Sequence, residues 1–108
     1  MTEHNIQQSI RLYLSKLGYI VLRLNVGRFY TLDGRPINTG LPVGCSDLLA
    51  ISPTGRAVFI ECKTDKGRPT DEQLKFISAM QKQGCIAGVC RSIDDVNKLL
   101  TINDSKTV

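Results

Sequence analysis

The chain has 108 residues, 42% of them hydrophobic and 22% charged, which is the make-up of one globular domain rather than a disordered chain. No window approaches the ~18 uncharged apolar residues of a membrane span. The polar start "MTEHNIQQS" does not read as a signal peptide, so the expected compartment is the cytoplasm (the host's, if a phage encodes it). Fourteen basic against ten acidic side chains leave a net charge of +4, which is compatible with a phosphate backbone as partner without deciding for one.

The first helix is expected over residues 3–17, stopped by Gly18. Its apolar stripe runs Ile6, Ile10, Tyr13, Leu14, Leu17, and three residues further back the stripe reaches Glu3. A carboxylate at the head of a core-facing stripe is unusual. "YIVLRLNV", residues 19–26, reads as a strand. The polar stretch "GRFYTLDGRPINTGLPVG" follows, with Asp33-Gly34 marking a small hairpin inside an otherwise irregular excursion. A connection this long in a small domain is more often functional than idle.

"SDLLAI", residues 46–51, is the second core strand; Ser52-Pro53-Thr54-Gly55 turns the chain and "RAVFIECK" returns as the third. Thr70-Asp71-Glu72-Gln73 is a capping-box pattern that opens a helix over residues 71–83, closed by Gly84. "CIAGVC", residues 85–90, is a fourth strand, and strand–helix–strand implies a parallel crossover between the third and fourth. "SIDDVNKLL" is a short last helix capped by Ser92, and the tail after Thr101 is expected to fray. The expected class is α/β in the order α-β-β-β-α-β-α, a central mixed sheet flanked by helices. It forms one domain over residues 1–108, with its core at about 3–100.

The four cysteines show neither a C-x-x-C pair nor a zinc spacing and read as reduced thiols, with Cys62 and Cys90 as small core residues. The chemistry gathers elsewhere. Strand side chains alternate, so Glu61 and Lys63 point the same way and Cys62 the opposite way. If the 52–55 turn closes a hairpin, Asp47 lies across from Glu61 to within a residue of register, with Cβ atoms roughly 5 Å apart. Two carboxylates at that separation repel unless a cation joins them, and hard divalent ions take such oxygen ligands. The plainer alternatives are a strand-start cap for Asp47 and a surface ion pair for Glu61–Lys63. They must explain three charges crowded onto one face beside apolar runs, where unpaired buried charge is costly.

The ordered set Gly44-x-x-Asp47, Glu61-x-Lys63-x-x-x-Gly67 and a downstream Gln73 resembles the PD-(D/E)xK nuclease superfamily. "VGCSDLLAI", "VFIECKTDKGRPTDEQLKFI" and "KQGCIAGVCRSIDD", with the opening "TEHNIQQSIRLYLSKLGYIVLRLNVG", resemble its VRR-NUC domain over roughly residues 3–100. The proline of the "PD" pair is replaced by Ser46. The resemblance implies a small restriction-endonuclease-like fold and a Mg²⁺-dependent deoxyribonuclease, with Mn²⁺ able to substitute. It implies Asp47, Glu61 and the backbone carbonyl of Cys62 as metal ligands, and Lys63 as the group that orients or deprotonates the attacking water. Glu3 matches the acid of the family's first helix, and Gln73 its second-helix glutamine, although a capping-box partner explains Gln73 as well. The products implied carry a 5′-phosphate and a 3′-hydroxyl.

Lys66 and Arg68, in the loop after Lys63, and Arg28 and Arg35, in the long excursion, are placed for DNA backbone phosphates; ordinary solvated charge is the other reading of each. The resemblance further implies junction or flap DNA as substrate in replication, recombination or repair, a homodimer like that of Holliday-junction resolvases, and a helicase or replication protein as a recruiting partner. The alternative from another class is a non-catalytic nucleic-acid-binding or assembly subunit on a nuclease fold. Such a subunit has no need of the intact Asp47, Glu61 and Lys63.

Overall fold

Thr2 starts the first helix, α1 (Glu3–Lys16): its hydroxyl accepts the Asn5 N–H at 3.1 Å in a computed structural model that describes residues 1–24 and 28–105. The stripe Ile6, Ile10 and Leu14 is buried, while Leu17 is 47% exposed because the helix has already ended there. Strand β1 (Ile20–Arg23) is shorter than the run of apolar residues; the last two expected positions, 25 and 26, lie outside the described residues.

The excursion folds as a hairpin of β2 (Arg28–Tyr30) and β3 (Pro36–Asn38) around the Asp33-Gly34 turn, where the Thr31 N–H donates to the Arg35 carbonyl. Among the described residues this hairpin packs against no other helix or strand.

The remaining elements are β4 (Leu48–Ile51), β5 (Ala57–Cys62), α2 (Asp71–Lys82), β6 (Ile86–Cys90) and α3 (Ile93–Ser105). The sheet order is β1-β4-β5-β6, with the first two pairings antiparallel and β5–β6 parallel, as the crossover requires. Residues alternating along the strands divide the sheet into two faces. Leu48, Ala50, Val58, Ile60, Cys62, Ile86 and Cys90 form a buried cluster with Ile6, Ile10 and Leu14 of α1 and Val96 and Leu100 of α3. The opposite face receives α2, with the Phe76 ring edge-on to Phe59 at 5.4 Å and the Gln81 amide donating to the Ala87 carbonyl. Alternation places Glu61 on this second face.

Helix α3 runs through Thr101 to Ser105. The Asn103 side chain donates to the Leu99 carbonyl at 2.8 Å, and Leu100 anchors the preceding turn in the core. Residues 106–108 of the expected tail lie outside the described residues. No helix among the described residues is long and apolar enough to cross a membrane.

Candidate active site

The hairpin of β4 and β5 sets the first two acids. Its rungs run from Ile51–Ala57 to Leu48–Ile60, so the next rung places Asp47 opposite Glu61. Asp47 is held there by the Cys62 N–H, which donates to its Oδ2 at 2.8 Å. Glu61 is 1% exposed, and neither of its oxygens has a hydrogen-bond partner. The Lys63 Nζ lies 3.7 Å from Glu61 Oε2 and 4.0 Å from Glu3 Oε1, so α1 delivers Glu3 to the same end of the sheet. One carboxylate oxygen each from Glu3, Asp47 and Glu61 falls within 4.8 Å of the other two; among the described residues this is the one acid group so arranged.

An acid in that place holds its proton tightly. Burial pushes the Glu61 carboxyl up to about 8. Asp47 reinforces the shift, because a protonated Glu61 can donate to it and an ionised one is repelled by it; Lys63 pulls the other way, and the charge on Glu3 adds to the rise. Buried carboxylate oxygens without donors are costly for a protein to keep. Three hard oxygen ligands fit a divalent cation such as Mg²⁺, and no imidazole or thiolate of the cluster competes for a softer metal. Asp47 and Glu61 would hold it from the sheet and Glu3 from the helix.

Two glycines let the backbone come close enough. Gly44 has φ +87°, and a Cβ on it would lie 2.4 Å from the Glu72 carbonyl oxygen, so the loop leading to Asp47 is seated directly against the first turn of α2. Gly44→Ala is expected to cost about 2–3 kcal/mol, from a backbone conformation that L side chains avoid together with the clash against Glu72, read as a lowered denaturant midpoint. Gly67 lets the loop after Lys63 fold back over it: a Cβ there would meet Thr64 Oγ1 at 3.1 Å and Lys63 Cδ at 3.5 Å.

The other expected positions divide. Gln73 takes part in the capping box that opens α2. Its Oε1 accepts the Thr70 N–H at 2.8 Å and its own N–H donates to Thr70 Oγ1, so the cap has claimed the side chain. Lys66 and Arg68 line a groove of about 640 Å³ beside the site, with Asp65, Gly67, Pro69, Leu74 and Arg91. Arg35 sits on the β2–β3 hairpin, paired with Asp33 at 3.1 Å, and is not among the residues lining that groove. Arg28 opens the same hairpin, and its side chain lies outside those described.

Arg91 carries no signal in the sequence. It follows β6, and nothing in its neighbours marks it; only the parallel crossover carries it to the loop after Lys63.

The cysteines take no visible part through their side chains. Burial pushes Cys90 up to about 12 and Cys62 higher still, and Cys45 is raised by burial and by the charges on Glu61 and Asp47. A thiol reagent applied to the native protein is therefore expected to modify the half-exposed Cys85 and to reach Cys45, Cys62 and Cys90 only on unfolding, counted by mass spectrometry.

A mixed four-stranded sheet between helices, with acids and a lysine converging where antiparallel neighbours end, defines a nuclease-type, restriction-endonuclease-like α/β fold. The profile of the VRR-NUC domain family matches residues 1–94, and the chain belongs to that family. A solved structure described as a VRR_NUC domain is similar at 28% identity and a TM-score of 0.65, covering 92% of this chain and 94% of that one. No curated protein sequence matches the chain.

Proposed function

We propose that this protein is a single-domain, divalent-metal-dependent deoxyribonuclease that hydrolyses phosphodiester bonds endonucleolytically, with Mg²⁺ as the working ion and Mn²⁺ as a substitute. The observation that carries the reading is the Glu61 carboxylate: buried, without a hydrogen bond at either oxygen, and flanked by Asp47, Glu3 and Lys63. A bound divalent ion supplies neutralisation of charge on the phosphate and makes water a competent nucleophile near neutral pH. Asp47 and Glu61 would hold that ion together with Glu3, and the backbone carbonyl of Cys62 is the further ligand that the family resemblance assigns.

Lys63 works beside them. Its Nζ donors, at the mouth of the acid cluster, hold the attacking water and hydrogen-bond the phosphate oxygens as charge builds on them. Lys66 and Arg68 bind backbone phosphates flanking the cut, which favours recognition by DNA shape over base reading.

The substrate proposed is branched DNA, a four-way junction or flap met in replication, recombination or repair. A two-fold dimer would present one site to each of two strands. The exposed Ile20 and Leu22 on the edge strand β1 offer apolar surface to such a partner.

The test is cleavage of labelled junction, flap and linear DNA with Mg²⁺, Mn²⁺ or EDTA, alongside sedimentation of the protein. Paired nicks in the junction that need metal, from a dimer, are the expected result. Equal cutting of linear duplex would remove the structure selectivity. Binding without cutting any of the three would replace the enzyme by the accessory subunit.

A further inference from the structure

Arg91 occupies a position that the proposed reaction does not use. The parallel register pairs Cys62 with Cys90, and the Lys63 N–H donates to the Cys90 carbonyl. Continuing one residue sets Arg91 beside Lys63, about one strand spacing of ~4.8 Å away. Both residues leave the carboxyl ends of adjacent parallel strands, where open α/β sheets bind their ligands.

The side chain is also held. Arg91 Nη2 donates to the Gly67 carbonyl at 2.8 Å and Nε to the Thr64 carbonyl at 3.2 Å, while its own N–H donates to Asp95 Oδ2. Two of its side-chain donors are thus spent fastening the loop that carries Lys66 and Arg68. The others remain for a ligand in the groove that Arg91 lines with those two cations and a single acid, Asp65. A guanidinium already fastened in place loses little freedom on binding, and its planar fork matches phosphate oxygens.

We infer that Arg91, Lys66 and Arg68 form a subsite for a phosphodiester group of the DNA strand next to the one that Lys63 engages, with Arg91 as its fixed member. The inference rests on the nuclease reading and deepens it. A strand whose scissile phosphate lies at Lys63 must run its next phosphate past a neighbouring position, and the groove with three cations is that neighbour. Asp65 makes the groove less attractive to anions than three cations alone would be, but a net positive charge remains.

Binding of a labelled four-way junction in EDTA, where no cutting occurs, is measured against salt for the unaltered protein and for Arg91→Gln, Arg91→Lys and Arg68→Gln. Removing one cation from a DNA phosphate, as Arg91→Gln does, lowers the slope of log K against log salt by about 0.9, and Arg91→Lys, which keeps the charge, retains the slope. Glutamine still offers a donor to one loop carbonyl. Should that variant fail to fold, Arg68→Gln, exposed on the loop, is expected to lose the same increment and carries the test.

An unchanged slope in these glutamine variants overturns the subsite. So does an equal loss in Arg91→Lys, because a purely structural clamp would be harmed by both changes. If the unaltered protein cuts DNA with metal and the slopes still do not move, the subsite alone falls. If it neither binds nor cuts any DNA, the nuclease reading falls with it.

Discussion

Lys63→Ala is expected to lower metal-dependent cleavage by about 10²–10³-fold, the usual loss when one donor aimed at developing charge is removed. The fold should survive. Lys63 lies past the last residue of β5, and its side chain is not part of the apolar cluster. Divalent-ion binding should also survive, since Glu3, Asp47 and Glu61 remain and a competing positive charge has left. Calorimetric titration with Mn²⁺ beside a cleavage assay checks both halves. A variant that binds the ion as tightly as the parent and cuts at the parental rate would take Lys63 out of the chemistry. One that loses both would make it a structural residue.

Glu61→Gln is expected to raise the thermal stability of the metal-free protein at pH 8 while abolishing the stabilisation that a divalent ion gives. Glu61 binds its proton more tightly in the folded chain, near 8, than in the unfolded chain, where a glutamate titrates near its ordinary value of 4.5. Between those values the folded state therefore holds the extra proton. Its contribution to stability is fully present below the unfolded value and is lost as pH rises through the folded one.

Across that window the metal-free midpoint should fall with rising pH in the parent and stay flatter in Glu61→Gln, which has no charge to desolvate. Added ion reverses the ranking. At 100 times its dissociation constant a ligand stabilises by about 2.7 kcal/mol, on the order of ten degrees or more in midpoint for a domain of this size. That gain belongs to the parent alone. Melting curves at several pH values, with and without Mg²⁺, read all of this. A Glu61→Gln protein that gains as much from the ion as the parent would exclude Glu61 as a ligand.

The site was legible wherever a short-range rule applied. Alternation in "AVFIEC" puts Glu61 opposite in sense to Cys62, and a four-residue turn leaves little choice of register, so Asp47 had to arrive across from Glu61. The helical period carries Glu3 to the head of the buried stripe, and the capping-box spacing locates the start of α2. These outcomes depend on a few neighbouring residues and on fixed backbone periods.

Others depended on groups that the sequence keeps far apart, or on a choice between two local partners. Gln73 had two local readings, cap or site, and its Oε1 accepts the Thr70 N–H of the cap. The pairing of Arg35 with Asp33 is a choice of local partner made across the hairpin turn. The depth of Glu61, the seating of Gly44 against Glu72 and the clamp of Arg91 on Thr64 and Gly67 exist only once α1, α2 and β6 have closed around β5. Period and turn chemistry act over a few residues. Desolvation and close approach are set by whichever distant segments end up as neighbours, and no local pattern encodes them.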